Sequence, residues 1–546
     1  MLLEKIRKSV IGDRIEIPTV FGLKPLIYAD YTASGRALGF IEDLIREKVL
    51  PLYANTHTET SFVGAAMSEL RRYSKAQARS FFDVPDEYSV VYCGYGATAA
   101  INKAIDLLGL RKRAKSTERP VVFIGPYEHH SNELPWRECE LDLVVIPLTD
   151  EGVLDIVELE HQLRVFTNRA TKIGSFSAAS NVTGLVTEVD TVTALLHKYG
   201  ALSLWDYAAA APYVSVNCRG RGDSELDTSK DAVFISPHKF LGGPETPGVL
   251  LIRNALVKEC IPSVPGGGTV SYVTSIDHTY HNDVERREEA GTPSIVGAIR
   301  AGLVFKLYAE VKSQKRAEQL GDVTIDQIMT RWSQHPNIQI LGHAEQPRLP
   351  IISFQIRHRH RYLHYGFVAA VLNDVFGIQS RGGCSCAGPY AHTLLGIDLS
   401  HAKAIESLVV NGDSIMRPGW VRLNFCQFMD PATVNYIVQA VELVAEHAWR
   451  ILPYYAFNED VGCWAFQGDK LDTQAWFEAL HFSDATYDDL TVSTPQPTMR
   501  SLDEFLQAGK AELTAQSRVL PRQRVSLAPS AEALRWFVLP QEIAVG

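Results

Sequence analysis

Seven short apolar runs, each bounded by turn residues, follow one another between residues 89 and 253 of this 546-residue chain. Segments 96–110 and 188–200, which lie between such runs, carry apolar residues at helical spacing. Because short apolar runs are typical of buried strands, their alternation with helices predicts a mostly parallel sheet with helices on both faces. The runs are SVVYCG (89–94), PVVFIG (120–125), LDLVVIPL (141–148), KIGSFSAAS (172–180), ALSLWDYA (201–208), DAVFIS (231–236) and GVLLIR (248–253).

The pattern changes after a long helical stretch at 294–311. Strands are predicted there at 349–356 and 419–425, and helices at 367–378 and 431–449. This pattern indicates a second, smaller α+β domain. An irregular region follows it, and 483–500 is its most loop-like part. The apolar patch at 529–540 is expected to pack on the body of the protein. We therefore predict an N-terminal segment joining the small domain (1–30), a large domain (31–295), a small domain (296–450) and a C-terminal extension without an assigned role (451–546).

Composition excludes several classes of protein. A chain that is 46% hydrophobic and 21% charged buries enough apolar surface to fold, unlike a disordered one. With 53 basic and 63 acidic residues, the net charge of -10 argues against a nucleic-acid binder. The one basic stretch, RHRHRYLHYG (357–366), is short and rich in His, and we interpret it as a solvated connection between a strand and a helix.

Neither a membrane nor an oxidising compartment is indicated. No apolar run approaches the roughly 20 residues of a membrane helix, and the N-terminus lacks the apolar region of a signal peptide. Eight cysteines are too few for a disulfide scaffold in a chain of this length. We expect a cytoplasmic protein.

Lys239 lies in the most informative segment, SPHKFLGGPETPGVLLIR (236–253), where it follows a predicted buried strand. A lysine at a strand end, close to apolar surface, can have its pKa lowered enough to act as a nucleophile or to form a Schiff base. The alternative for a single lysine is an ordinary surface side chain.

Further polar groups follow other predicted strands. Small residues in GYGATAAIN (94–102) open a helix whose backbone N–H groups, with the Thr98 hydroxyl, form an anion cradle. Asp206 ends an apolar strand, where it could pair with a protonated ring nitrogen or simply cap a helix. His129 and His130 follow PVVFIG without the acidic spacing of a metal site, so a stacking or proton-transferring imidazole is favoured and no metal is expected.

The glycine-rich loop SRGGCSCAGP (380–389) carries an arginine and two cysteines. Arg381 can hold a carboxylate through two parallel hydrogen bonds. Cys384 and Cys386 could be a nucleophile, metal ligands, a disulfide or inert thiols. A thiolate beside an arginine suits reactive chemistry.

In their order, these segments resemble the class V aminotransferase-fold enzymes that depend on pyridoxal 5′-phosphate (PLP), and among them the cysteine desulfurases and selenocysteine lyases. The resemblance runs from about Tyr28 to about Val444. It implies fold type I, with a mostly parallel seven-stranded sheet in the large domain. The motifs that carry it are YADYTASG (28–35), GATAAIN (96–102), EHHSNELPW (128–136), SNVTG (180–184), SPHKFLGGP (236–244), RREEAGTPSIVGAI (286–299) and RGGCSCAGP (381–389).

The resemblance implies roles for the cofactor site. Lys239 would form the Schiff base with PLP and move the Cα proton, Asp206 would keep the pyridine nitrogen protonated, and His129 would stack on the ring. The phosphate would be bound by Ala97, Thr98, Ser236 and His238.

The resemblance also implies substrate and partner contacts. Asn181, beside the cofactor, and Arg381 would hold the substrate near its carboxylate. Cys386 aligns with the cysteine that takes sulfur as a persulfide. Thr292 would reach the cofactor phosphate of the neighbouring subunit, which implies a homodimer with shared active sites. A sulfur-acceptor protein would be a further partner.

The chain departs from the family pattern at several positions. Ala209 replaces the glutamine that usually bonds the ring hydroxyl, Tyr213 replaces a histidine, and Cys384 replaces a histidine of the desulfurase loop. The stretch 218–228 is similar to an insertion between Asp206 and Lys239.

The favoured function is removal of sulfur from L-cysteine through an enzyme persulfide, which yields alanine. The alternatives are a C–S lyase that releases pyruvate, an aminotransferase or epimerase acting on another amino acid, and a non-catalytic PLP-fold scaffold. Lys239, Asp206 and Arg381 argue against the scaffold.

Overall fold

The computed structural model describes residues 2–56, 58–111, 119–221, 226–313, 317–342, 345–467, 497–515 and 521–543, with side chains omitted for 317–324. Strands alternate with helices in its first half and form several sheets. They are β1 (Glu16–Thr19), β2 (Gly22–Pro25), β3 (Ile27–Tyr28), β4 (Tyr88–Cys93), β5 (Val121–Ile124), β6 (Asp142–Val145), β7 (Lys172–Ser177), β8 (Leu202–Asp206), β9 (Ala232–Ile235), β10 (Gly248–Arg253), β11 (Val270–Val273), β12 (His278–Tyr280), β13 (Ile338–Ile340), β14 (Ile351–His358), β15 (Arg361–Leu363), β16 (Ile378–Gln379), β17 (Arg381–Gly383), β18 (Trp420–Asn424), β19 (Tyr455–Asn458) and β20 (Cys463–Phe466).

The α-helices cover the sheets and connect them. They are α1 (Leu2–Lys8), α2 (Gly39–Leu44), α3 (Phe62–Phe81), α4 (Gly96–Leu107), α5 (Leu134–Arg137), α6 (Ile156–Val165), α7 (Val189–Lys198), α8 (Val284–Arg287), α9 (Ile295–Ser313), α10 (Ala317–Ser333), α11 (Tyr365–Phe376), α12 (Gly388–Leu395), α13 (Leu399–Val410), α14 (Pro431–His447), α15 (Leu502–Thr514) and α16 (Pro529–Leu534).

The seven predicted runs form one seven-stranded sheet in the order β4-β10-β9-β8-β7-β5-β6. Strands β5 to β9 pair in parallel, while β10 runs antiparallel to both of its neighbours. Every residue of β5 and of β9 is buried, because helices cover both faces of the sheet. The predicted α/β fold is confirmed.

The second half builds a smaller antiparallel sheet, β13-β14-β18-β17, to which β15 adds by pairing with β14. Helices α11 and α14 pack on it, and their buried apolar residues belong to one core with Phe354 and Leu423. The N-terminal strand β3 pairs in parallel with β16.

The basic stretch 357–366 differs from its prediction as a solvated connection. It contains the end of β14, a turn, and strand β15, which pairs back on β14. His364 is only 2% exposed and caps helix α11 by accepting the Gly366 N–H. The histidine-rich composition suggested solvation, whereas helix capping and aromatic neighbours bury this end of the segment.

The region after residue 450 packs on the smaller sheet. Strands β19 and β20 form a hairpin, and α15 packs against α14. The apolar patch predicted at 529–540 is buried in the same core through Phe537 and Leu539, as expected. Most of the loop-like stretch 483–500 and part of the insertion-like stretch 218–228 lie outside the described residues.

No helix in the described ranges combines the length and the apolar character needed to cross a bilayer.

Candidate active site

A cavity of about 240 Å³ lies at the carboxyl ends of the strands of the large sheet. Residues that follow β4, β5, β7, β8 and β9 line it, and the smaller sheet closes it with Arg381, Ser385, Cys386 and Arg422. Parallel strands gather their following loops at one edge, so polar groups distant in sequence meet there.

The structure brings together most of the predicted site residues. Thr292 is the exception, because it is exposed and accepts a hydrogen bond from Asn55 (3.2 Å) outside this cavity. The predicted residues that line the cavity are Ala97, Thr98, His129, Asn181, Asp206, Ser236, His238, Lys239, Arg381 and Cys386.

Lys239 lies at the end of a single helical turn, Pro237–Lys239, directly after β9. Burial lowers the pKa of Lys239 from 10.5 to about 8, and the positive charge of Arg422 acts in the same direction, while Asp206 opposes the shift. Near pH 8 a large share of this amine is therefore neutral and able to attack a carbonyl carbon.

We expect the rate at which the cofactor-free protein takes up PLP to rise with pH and to level off above a midpoint of about 8. The reason is that only the neutral amine, which prevails above the pKa, is a nucleophile. Stopped-flow absorbance of the bound cofactor measures this rate. Asp206→Asn removes the negative charge that raises the pKa of Lys239, so its midpoint should move to lower pH. A wild-type midpoint near 10.5 would contradict this assignment of Lys239.

Asp206 ends β8 with its carboxylate buried at the mouth of the cavity. Burial raises the pKa of Asp206, while the Ala208 N–H, which donates to Asp206 Oδ1 (2.8 Å), and the charge of Lys239 lower it. A buried carboxylate so placed gains strongly from a cationic partner, such as a protonated ring nitrogen.

The start of helix α4 forms a close-fitting cradle. Gly96 has φ +56, and a Cβ there would lie 2.8 Å from Ser236 Oγ and 2.7 Å from His238 Cε1. The Ala97 N–H donates to Ser236 Oγ (2.9 Å), and Thr98 Oγ1 lies 2.6 Å from Ser131 Oγ. Backbone N–H groups at a helix N-terminus, surrounded by hydroxyl groups, suit a phosphate.

His129 presents a neutral imidazole to the cavity. The Ser131 N–H donates to Nδ1 (3.1 Å), which places the ring proton on Nε2. Burial lowers the pKa of His129 to about 3, and the neighbouring charge of Lys239 contributes. An uncharged ring is suited to stacking on a flat cofactor.

Glu128 was missed by sequence reasoning, although it immediately precedes His129. Its Oε1 accepts the N–H groups of Gly125 (3.2 Å) and Ser177 (2.8 Å). Its Oε2 accepts the Ser177 hydroxyl (2.6 Å) and the Asn132 amide (2.7 Å). Glu128 thus joins the ends of β5 and β7 under His129, a role that only the register of the parallel sheet reveals.

We expect Glu128→Gln to lower the free energy of unfolding by about 2 kcal/mol, because an amide group places N–H donors against existing donors in a buried site. Urea denaturation of the cofactor-free protein measures the change. Glu138→Gln, at an exposed position of the same segment, is the control and should change stability by less than about 1 kcal/mol. Equal effects of the two substitutions would contradict the role of Glu128.

Arg422 lines the cavity and Asp30 binds this arginine from behind the lining residues, and neither residue was predicted. Arg381 Nε donates to Asp30 Oδ2 (2.9 Å), and an Arg422 terminal nitrogen donates to Asp30 Oδ1 (2.9 Å). Arg422 also donates to the Asn181 carbonyl (3.1 Å), and its side chain is 4% exposed. The sequence did contain a signal for Arg422, because GWVRLNF (419–425) places this arginine within a predicted buried strand.

The cysteine loop comprises residues 384–387, between β17 and α12. The Asn181 amide donates to the Ser385 carbonyl (2.8 Å), and the His130 N–H donates to the Cys386 carbonyl (2.9 Å). Ser385 and Cys386 both adopt left-handed backbone conformations, with φ of 56 and 55. Cys386 is exposed at the rim of the cavity, so its thiol can meet both a bound substrate and solvent.

The departures from the family pattern have structural consequences. Ala209 lines the cavity and offers no side-chain hydrogen bond where the family has glutamine. The Tyr213 hydroxyl donates to Asn424 Oδ1 (2.9 Å). Three buried polar atoms that face the cavity lack partners among the described residues: Thr32 Oγ1, Asn181 Oδ1 and Ser385 Oγ.

These residues fit PLP. Lys239 supplies an amine of lowered pKa for the aldehyde, Asp206 a buried carboxylate for the ring nitrogen, and the start of α4 a cradle for the phosphate. Asn181 Oδ1, which has no partner among the described residues, offers an acceptor beside the cavity, and buried polar atoms are nearly always hydrogen-bonded.

Comparison with curated proteins finds relatives of moderate identity. A probable cysteine desulfurase from Halalkalibacterium halodurans is 26% identical over 372 residues, which are 67% of this chain and 85% of that protein. A cysteine desulfurase from Salmonella agona is 29% identical over 374 residues, with the same two coverages of 67% and 85%.

Solved structures share the fold. The apo structure of a cysteine desulfurase from Thermococcus onnurineus has a TM-score of 0.64 at 24% identity and covers 81% of this chain and 98% of its own. A cysteine desulfurase from Escherichia coli has a TM-score of 0.61 at 20% identity and covers 77% of this chain and 94% of its own.

A model of the aminotransferase class-V family matches residues 27–435. The matched range includes both sheets and every residue of the cavity described above. The predicted resemblance is confirmed: this chain belongs to the aminotransferase class-V family of PLP-dependent enzymes.

Proposed function

We propose that this protein is a cysteine desulfurase that transfers sulfur from L-cysteine to Cys386 and releases alanine. The observation that carries the proposal is a single cavity that joins Lys239 and Asp206 to Cys386, lined also by Arg381 and Arg422 of the smaller sheet. The relatives named cysteine desulfurase support the same activity.

Bound PLP supplies an electron-withdrawing ring that stabilises negative charge at the substrate Cα. Lys239 holds the cofactor and, once released from it, its amine takes the proton from Cα. Asp206 maintains a positive charge at the ring nitrogen, and neutral His129 covers the ring. Each of these roles uses the position and the charge that the side chain already has in the cavity.

The substrate carboxylate is bound by Arg381 and Arg422. Both arginines pair with Asp30, which leaves further N–H groups of their guanidinium planes for a substrate. Asn181 joins the two halves of the site. Its side-chain N–H donates to the Ser385 carbonyl in the cysteine loop, and its side-chain Oδ1 has no partner among the described residues.

The sulfur step balances without an external oxidant. The Cys386 thiolate attacks the substrate sulfur, a sulfur–sulfur bond forms, and the carbon–sulfur bond breaks with its electron pair remaining on carbon. Protonation of that carbon gives alanine, and Cys386 carries the extra sulfur as a persulfide. A thiol reductant or an acceptor protein then removes this sulfur from the exposed residue.

The test is to supply the PLP-loaded protein with L-cysteine and a thiol, and to quantify alanine, pyruvate and sulfide. We expect alanine to match sulfide. Pyruvate matching sulfide would replace the proposal by a C–S lyase, in which the electron pair of the carbon–sulfur bond leaves with sulfur and the amino group is released as ammonia. No product from cysteine would direct the search to transamination or epimerisation of other amino acids.

We also propose that the active protein is a homodimer with shared sites. Exposed apolar side chains support this, since Tyr95 beside the cavity is 93% exposed, and Ile276 at the tip of the β11–β12 hairpin is 95% exposed. Thr292, which is exposed and does not line the cavity of its own subunit, is the proposed contact with the partner's cofactor phosphate. Sedimentation velocity should give about twice the 60.6 kDa chain mass, and a monomer would reject the proposal.

We further propose the division into a large domain at 31–295 and a small domain at 296–450, which the segment 1–30 joins. Two separate sheets support this division.

All eight cysteines are free, which supports a reducing, cytoplasmic location. The exposure of Cys386 supports a sulfur-acceptor protein as a partner.

A further inference from the structure

Tyr365, the first residue of α11, packs against β17, which leads to the cysteine loop, and against the residue that precedes β18. A Cβ on Gly382 of β17 would lie 2.9 Å from Tyr365 Cδ2. A Cβ on Gly419, directly before β18, would lie 2.8 Å from Tyr365 Cδ1 and Cε1. The aromatic ring therefore contacts the backbone of both segments closely enough that only glycine fits at either position.

Trp536 of the C-terminal extension lies parallel to this tyrosine ring. The two ring planes differ by 8°, with centroids 6.0 Å apart. Backbone hydrogen bonds fix Trp536, because its carbonyl accepts the Tyr362 N–H (3.3 Å) and the Val538 N–H donates to the Tyr362 carbonyl (2.9 Å). The extension thus reaches a residue that directly supports β17.

His364 makes the base of this aromatic cluster rigid. Its Nδ1 accepts the Gly366 N–H and the Trp464 indole N–H, both at 3.0 Å, while its Nε2 lies 3.2 Å from the Ile415 carbonyl. Trp536 stacks on this ring with centroids 5.3 Å apart. An imidazole held by three hydrogen bonds leaves Trp536 and Tyr365 little freedom to move.

The supported strand carries the groups that the proposed function uses. Arg381 begins β17, and the residues of the cysteine loop directly follow its last residue, Gly383. Ser385 and Cys386 hold left-handed conformations that cost energy for residues other than glycine. Such conformations persist only where the surrounding structure fixes both ends of the segment.

We propose that Trp536 is a positioning residue for the active site: through Tyr365, the C-terminal extension fixes β17 and thereby the loop that presents Cys386. The expected effect on sulfur release rests on the proposed function. The expected effect on the order of residues 381–387 does not, because it follows from the contacts of Tyr365 alone.

The test compares Trp536→Leu with Trp449→Leu in the full-length, PLP-loaded protein. Leucine keeps apolar volume but removes the parallel ring. Trp449, in the helical turn that follows α14, contacts the His358 ring at an angle of 32° and makes no contact with Tyr365 among its ring contacts in the described residues, so it is the matched control. Hydrogen–deuterium exchange of the peptide spanning 380–388 reports the order of the loop directly.

In Trp536→Leu we expect exchange of this peptide to be about fivefold faster and sulfur release from cysteine about fivefold slower, at unchanged cofactor absorbance. Trp449→Leu should leave all three unchanged, and Trp536→Phe should restore slow exchange. Tyr365→Leu, which breaks the same contact from the other end, should reproduce the effect.

Unchanged exchange in 380–388, with faster exchange confined to the extension, would overturn the inference. The same exchange result would count against it even if Trp536→Leu lost activity. If the wild type releases no sulfur from cysteine, the proposed function fails, and the exchange comparison still decides the role of Trp536.

Discussion

Replacement of Lys239 by alanine is expected to abolish the visible absorbance of bound PLP and to lower turnover of any amino-acid substrate by on the order of 1,000-fold or more. Lys239 is the one lysine among the described residues that line the cavity, so no other amine there can hold the cofactor covalently. The same amine also moves the Cα proton in the proposed mechanism, and its loss therefore removes both functions.

Lys306→Ala is the matched control, because Lys306 is half-exposed on α9 and, within the part of the chain that the structure describes, its one ion pair is with Glu310. That variant should keep wild-type absorbance and turnover. Spectra recorded after gel filtration separate bound from free PLP. If Lys239→Ala retained the wild-type spectrum after this step, the covalent attachment of PLP would have to be assigned to another residue.

The strand ends of the large sheet could be predicted from the sequence because each is a local signal. Lys239 and Asp206 each lie where an apolar run meets a turn. Because the loops that follow parallel strands gather at one edge of the sheet, the two residues are expected to lie close together. The order of the motifs along the chain indicated the family. Neither inference required a contact to be known in advance.

The residues that were missed depend on pairings between distant segments. Arg422 meets Arg381 because β17 and β18 pair with Arg381 opposite Arg422, and Asp30 reaches both from the N-terminal segment. Glu128 acts on Ser177, which lies on another strand of the sheet. Such registers are set by tertiary packing, and the local sequence around Asp30 or Glu128 does not specify them.

The packing and the role of the extension after residue 450 could not be predicted from the sequence, for a related reason. Its helices and hairpin are short, and their apolar residues are buried in one core with residues of α11, α14 and other parts of the second half of the chain. Trp536 gains its proposed role from a parallel stack on Tyr365, which is more than 170 positions away. Sequence pattern alone predicts that such a patch is buried, as at 529–540, but not what it supports.

Replacement of Cys386 by alanine is the second large effect that we expect. Alanine formation from L-cysteine should fall by about 100- to 1,000-fold, because the attacking thiolate is lost. The visible absorbance of the bound cofactor should remain, since Lys239, Asp206 and the start of α4 do not contact the Cys386 side chain within the described hydrogen bonds. Mass spectrometry of the wild type incubated with cysteine should show an added sulfur on the peptide that contains Cys386.

Cys384→Ala is the control that makes this result specific. Cys384 lies in the same loop, two residues before Cys386, but it is half-buried, whereas Cys386 is exposed. It should retain most of the alanine-forming activity. If Cys384→Ala lost activity and Cys386→Ala kept it, sulfur would be transferred to the other thiol of the loop. If both variants released sulfide normally, the persulfide step would be excluded, and sulfur would leave the substrate by elimination, with pyruvate as the product that reveals it.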